Sequence, residues 1–272
     1  MTRYEIKSLS IGGILDQTVA LVKDRFGVLL AIAAVVYVPY GLINGFVMMA
    51  KMPPRPAPPF EPAVMQQYQE AVMMASLFTL PASLLFGLVG VPLANGAMIW
   101  AVSQSYLGEP VSFDSTWRHS LSRALPLIGT TFLYSLAMMG GFILCVIPGF
   151  LFMLWFIFYA QGVMLEGLSG SSALSRSKAL MKGNMGKAFV LMLLLSIISA
   201  VIGGIGAVVP QPHVGVVLQV ALQAVVVMFS AAAMTVFYFS CRCDHEDFDL
   251  MRLAAAVEKS DNDASPDRGA TY

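Results

Sequence analysis

The sequence predicts an all-α, polytopic membrane protein: about six transmembrane helices, with three interfacial amphipathic helices arranged in a three-fold pseudo-repeat. Three observations lead there. Hydrophobic residues make up 57% of the 272 and charged residues only 12%, too little charge to cover a soluble surface. The charges are bunched, so long uncharged runs alternate with short charged segments. Each charged segment before an odd-numbered run places apolar residues along one side of a helix and its ionic residues on the other.

The runs can be measured against a hydrocarbon core of roughly 30 Å, which about 20 helical residues cross. Nothing is charged from Phe26 to Ala50, which predicts one span near 26–49. Between Glu70 and Glu109 lie 38 uncharged residues, room for one long helix near 76–105 bent at Pro81 and Pro92, or for two short ones. The 42 residues between Arg123 and Glu166, and the 54 between Lys187 and Arg242, each hold two spans and a turn. Ile147-Pro148-Gly149 divides the first pair, near 125–145 and 149–166, and makes Pro148 and Gly149 a candidate hinge. Pro210-Gln211-Pro212-His213 divides the second pair, near 187–208 and 214–240. Six spans put fourteen of the 16 Lys and Arg on one side, whereas seven would send Arg118 and Arg123 to the other. By the positive-inside rule that side is cytoplasmic and holds both termini.

The N-terminal MTRYEIKSLS lacks a short apolar core with a small-residue cleavage site, so the first run is expected to stay in the membrane. Near 10–25, Ile11, Ile14, Leu15, Val19, Val22 and Phe26 fall at helical spacing, away from Asp16, Gln17, Lys23 and Asp24. Near 112–124, Phe113, Trp117, Leu121 and Leu125 oppose Asp114, Arg118, Ser122 and Arg123, with Asp114 or Ser115 as a cap. Near 170–184, Ala173, Leu174, Ser177, Leu180 and Met181 share one arc, and Arg176, Lys178 and Lys182 occupy the rest. Each helix is expected to float with its apolar side among acyl chains and its cations at headgroup level. Pro53 to Pro59 reads as an extended linker, and 257–272 as a disordered tail after a membrane domain at 1–256.

Glu166 is the sharpest candidate site residue, since an ionisable group near hydrocarbon is costly. It either serves a pathway or a cation, or ion-pairs with Arg176 or another interfacial cation; the pairing is the favoured reading. Arg176, Lys178, Lys182 and Lys187 are candidates for contact with anionic lipid, or anchors of topology alone. Asn44, Asn95, Gln104, Gln161, Gln219 and Gln223 read as ties between helices before a polar cavity, and Gly203-Gly204 with Gly206 as close packing before a hinge. Cys241, Cys243 and His245 offer too few ligands for a metal site. No catalytic residue, metal ligand or cofactor is expected. A net charge of zero points away from nucleic acid, which leaves membrane lipids as partners, with other membrane proteins a second class.

In order along the chain stand Ser10-Ile11-Gly12, Ile14-Leu15-Asp16 and Phe26; Ile147-Pro148-Gly149; Leu165-Glu166-Gly167; Ala173-Leu174, Arg176-Ser177, Leu180 and Lys182-Gly183; and Tyr238 to Arg242 with Glu246, Phe248-Asp249-Leu250. This order resembles the bacterial family named after the membrane portion of certain glycerophosphoryl diester phosphodiesterases. The chain departs from its pattern at Asp247, where a small residue is expected, and at Cys241 and Cys243. The resemblance implies a six-span membrane domain in a bacterial inner membrane, without the soluble catalytic barrel. The functional expectation is a non-enzymatic protein that organises partners or anionic lipids at the cytoplasmic face. The alternative is a transporter or permease-like component moving a small molecule or lipid.

Overall fold

The computed structural model describes residue 4 and residues 6–51, 61–209, 211–248 and 250. The proline-rich linker, Pro210 of the expected second turn and the expected tail lie outside the described residues. Every regular element among the described residues is helical. In order these are α1 (Ile11–Lys51), α2 (Pro62–Leu85), one π turn (Phe86–Gly90), α3 (Val91–Tyr106), α4 (Phe113–Ser122), α5 (Ala124–Leu144), α6 (Val146–Trp155), α7 (Tyr159–Glu166), α8 (Gly170–Met181), α9 (Met185–Val208) and α10 (Pro212–Glu246). Six stretches are long and apolar enough to cross a membrane: α1, α2 through α3, α5, α6 with α7, α9 and α10. The molecule is an all-helical, multi-pass membrane protein.

Several boundaries have a local cause. α1 continues from the first charged segment into the first span with a bend at Arg25 (φ −122°, ψ 21°). The second crossing begins at Pro62 rather than near 76, because proline fits the first turn of a helix, where its missing N–H leaves nothing unpaired. Its irregularity falls at 86–90, where the Val91 N–H bonds back to the Phe86 carbonyl. Pro92 cannot bond the Leu88 carbonyl and its ring crowds it; the wider turn just before it absorbs that conflict. The turn presents Phe86 flat against Tyr40 of α1, ring centroids 3.7 Å apart.

The expected division at Ile147-Pro148-Gly149 is displaced. The one extended residue between α5 and α6 is Cys145 (φ −176°, ψ 158°), and Pro148 and Gly149 sit in the first turn of α6. Gly149 is where α5 and α6 cross: a Cβ there would fall 2.5 Å from the Phe142 ring, and one at Gly141 would meet the Gly149 Cα at 3.0 Å. This pair of glycines is a close-packing contact, with the chain reversal four residues before Gly149.

The main core lies toward the end of the bundle that carries α8. Ile14, Leu21, Leu29 and Ile32 of α1 meet Met98 and Tyr106 of α3, Leu180 and Met181 of α8, Leu191 of α9 and Phe237 of α10. Toward the other end the helices expose large apolar side chains, among them Leu77, Phe78, Leu85, Ile143, Leu144, Ile147 and Val201. In water such a surface would aggregate; in a bilayer acyl chains cover it. α1 and α10 pack tightly at Gly41 and Gly45, where a Cβ would come within 2.8 Å of Val220 and 2.6 Å of Val216. Their spacing of four residues places both on one helix face, the small-residue pattern that lets membrane helices touch. Gly204, expected to serve that purpose, has nothing within 4 Å of its Cβ position, and Gly203 only the Gln219 amide at 3.9 Å.

Replacing Gly45 by Leu overpacks this crossing and costs about 1–3 kcal/mol, whereas Gly204→Leu in open space does not destabilise. Thermal unfolding of the two variants in detergent, followed by intrinsic fluorescence, checks the contrast.

Candidate functional site

The three charged segments meet the bundle differently. On the first, the buried residues are Ile14, Thr18, Leu21 and Val22, while Val19 and Phe26 are exposed. On α4 the small polar residues Thr116 and Ser120 face inward, and the Ser120 hydroxyl donates to the Leu93 carbonyl of α3 at 2.8 Å. Of its expected apolar row, Phe113, Leu121 and, beyond the helix, Leu125 are exposed, Leu125 at 84%, whereas Trp117 packs partly buried against the main core. The α4 N-terminus is capped by Ser112, whose hydroxyl accepts from the Ser115 N–H, not by Asp114. On α8 the buried residues are the expected arc, Ala173, Leu174, Ser177, Leu180 and Met181. That arc packs on protein: Leu180 and Met181 belong to the main core, and Ala173 to a smaller one with Leu127 and Val163. It is therefore not the lipid-facing side expected for it.

α8 is held in place by two polar devices. The first repairs a break in the fourth crossing that the apolar run 149–166 gave no sign of. α6 ends at Trp155 and α7 begins at Tyr159; there the Phe158 N–H donates to the Ser177 hydroxyl at 2.9 Å, and that hydroxyl donates to the Trp155 carbonyl at 2.8 Å. One side chain of α8 thus satisfies two backbone groups that cannot be left unpaired in a membrane.

The second device is a node of four charges. Glu166 ends α7, which is closed by Gly167 in the left-handed conformation (φ +70°), and Arg176 approaches it from α8. The Arg176 fork donates through Nε to Glu166 Oε2 at 2.6 Å and through Nη2 to Oε1 at 2.9 Å, and its Nη1 pairs with Glu246 of α10. Arg242, one turn before Glu246, bonds its other oxygen at 3.0 Å and stands 3.9 Å from Glu166. The Tyr238 hydroxyl donates to Glu166. Two guanidinium and two carboxylate groups leave the node neutral, and planar forks meeting carboxylates side-on give the strongest charge-assisted bonds available. Glu166 first, then Glu246, hold the pKa of the Arg176 guanidinium above its ordinary value. The Arg242 guanidinium also lies 4.2 Å above the Phe248 ring. Between the two, Asp247 ends α10 in the left-handed region (φ 48°), at the position where a small residue was expected.

The pairing of Glu166 with Arg176 was legible in the sequence; Tyr238, Arg242 and Glu246 were marked only as points of resemblance, with no role in a site. The remaining candidates divide. Lys187 pairs with Asp244 at 3.2 Å, Lys178 sits 4.2 Å over the Trp155 ring, and Lys182 is exposed. Lys178, Lys182, Ser175, Trp155 and Gly183 surround a recess of about 430 Å³ on the outer side of α8.

A second polar feature lies within the crossings. A cleft of about 640 Å³ between α1, α9 and α10 includes Asn44, Gln219 and Gln223, and a lobe of about 450 Å³ includes Asn95, Gln161 and Gln223. The lobes share Tyr37 and Gln223. Five of the six amides expected to tie helices therefore line space; Gln104 does not.

Crossings, node and cleft define a multi-pass α-helical membrane protein whose polar groups gather at one end of the bundle and along one internal cleft. Residues 128–266 match the model of the family described as "Domain of unknown function (DUF8558)", and the chain belongs to that family. The matched region holds all five residues of the node. No curated protein and no solved structure matches the chain.

Substituting Ser177 by Ala strands the Phe158 N–H and costs about 1–3 kcal/mol, more than Ser175→Ala at the exposed neighbouring position. In a double-mutant cycle, Arg176→Ala with Glu246→Ala yields a coupling of about 1–2 kcal/mol, read from unfolding midpoints in detergent.

Proposed function

We propose that the protein is a non-enzymatic membrane domain that holds anionic lipid headgroups at the cytoplasmic face of a bacterial inner membrane, through the outer side of α8. The observation that carries this is the recess between Lys178 and Lys182. Arg176 of α8 and Lys187 of α9 are engaged by carboxylates, whereas Lys178, over the Trp155 ring, and Lys182, just past the end of α8, are exposed and face no carboxylate among the described residues. Lys178 lies in the last turn of α8 and Lys182, four residues on, is the residue that ends it (φ −63°, ψ 120°); both line the recess, where two like charges repel unless an anion lies between them. Trp155 and the serine hydroxyl of Ser175 line the same recess, as suits a headgroup with acyl chains beside it. The node serves the site indirectly: by locking α8 to α7 and α10 it keeps the two lysines in one orientation.

The cytoplasmic assignment rests on the distribution of cations. The first charged segment, α4, α8 and the end of α10 share one end of the bundle, and Lys51 stands at the other. The resemblance to the membrane portion of glycerophosphoryl diester phosphodiesterases points the same way. The exposed apolar residues of α4 add a surface for lipid or for a second membrane protein. The transporter reading is favoured by one observation, the amide-lined cleft at membrane depth.

In nanodiscs, phosphatidylglycerol stabilises the wild-type protein relative to phosphatidylcholine, and Lys178→Ala with Lys182→Ala removes about 1 kcal/mol per lysine of that difference. A lipid effect equal in wild type and variant sinks the proposal. In a Cys145→Ala background, which removes the exposed native thiol between α5 and α6, cysteine introduced at Ser115 or Ser171 reacts with a membrane-impermeant maleimide only in inverted vesicles; reaction in intact cells reverses the assigned orientation.

A further inference from the structure

The internal cleft carries an inference that is independent of the headgroup recess. Its two lobes run from Asn44 and Val216, near the end of the bundle away from the node, to Gln161 and Met234. Met234 is one helical turn from Tyr238, so the cleft ends just short of the ion-pair node. The Gln161 side chain is 4% exposed and its Oε1 has no hydrogen-bond partner; Gln219 Oε1, in the other lobe, has none either. A buried amide oxygen without a donor costs on the order of the full desolvation of that group, and in a membrane protein lipid tails cannot supply one.

The walls specify the chemistry of what does. Among the described residues no Asp, Glu, Lys, Arg or His lines either lobe, so a charged ligand would meet no counter-charge. The unpartnered groups are acceptors, so the ligand must donate. Besides the amides the walls carry the hydroxyl side chains of Tyr37, Tyr40, Tyr159, Ser196, Ser199 and Ser230. The remainder is apolar, with Val216, Val220, Leu195, Val226 and Met192; scattered uncharged polar groups on an apolar wall suit an amphiphile. Neither lobe is enclosed, and both lie between crossings.

We propose that this cleft binds an uncharged amphiphile whose hydroxyl donates to Gln161 or Gln219 and whose apolar chains lie along α1, α9 and α10: a neutral lipid of the diacylglycerol kind. The site differs from the headgroup recess in place and in charge, so either can fail without the other.

The experiment uses the full chain in phosphatidylcholine vesicles with two photoreactive probes, diacylglycerol and phosphatidylglycerol carrying the same diazirine chain. Diacylglycerol labels peptides containing 37–49 and 192–234 saturably, and unlabelled dioleoylglycerol competes. Gln161→Leu combined with Gln219→Leu weakens that labelling about tenfold, the loss of a hydrogen bond or two. The same variant unfolds at the wild-type temperature or above, because an unsatisfied oxygen has been removed from each site. Lys178→Ala with Lys182→Ala leaves the labelling unchanged. Three outcomes overturn the proposal: labelling spread equally over lipid-facing positions such as Phe78 and Ile143, equal labelling of the cleft by both probes, or undiminished labelling in the double glutamine variant, which means that the glutamines do not hold the lipid. Should the glutamine variant fail to fold, competition on the wild type decides alone: labelling of the cleft that does not saturate rejects the site.

Discussion

Arg176 joins two carboxylates that arrive on different helices, Glu166 at the end of α7 and Glu246 at the end of α10. Near a bilayer an unpaired charge costs several kcal/mol, so neither carboxylate nor guanidinium can be left behind when the helices assemble. The pairing dictates the rest of that end of the molecule. It sets α8 across the foot of the bundle, brings Ser177 to the broken fourth crossing, and commits the buried arc of α8 to protein contacts.

The break itself follows from the same constraint. A helix interrupted at Phe156 to Phe158 exposes backbone donors and acceptors where no water can satisfy them, and it persists because a hydroxyl from α8 bonds both sides of the gap. In return the break lets Phe158 pack against Phe237 and Tyr238, the latter a member of the node. Helix break, serine bridge and ion pairs are thus mutually dependent, and each explains why the others are tolerated at membrane depth.

Polar groups elsewhere in the crossings behave differently. At the node every charge has a partner, whereas in the cleft Gln161 and Gln219 present oxygens that no protein donor reaches. The first arrangement is that of a clamp and the second that of a site. The buried core concentrates near the clamp, and the cleft lies beyond it, beside the close contact of α1 and α10 at Gly41 and Gly45.

The sequence by itself determined the helical class, the six crossings, the membership of the α8 arc and the meeting of Glu166 with Arg176. Each is written in a local pattern: run length against bilayer thickness, helical spacing, and two opposite charges ten residues apart beside hydrocarbon. Only the tertiary structure decided that the arc faces protein, that Arg242, Glu246 and Tyr238 complete the node, that Gly41 and Gly45 rather than Gly203 and Gly204 make the close crossing, and that the amides line a cleft. Hydropathy treats lipid and a neighbouring helix alike, because both are apolar. Which of the two a face meets, and which distant side chain an amide or carboxylate finds, is set by how the helices pack, information spread over residues far apart in the chain.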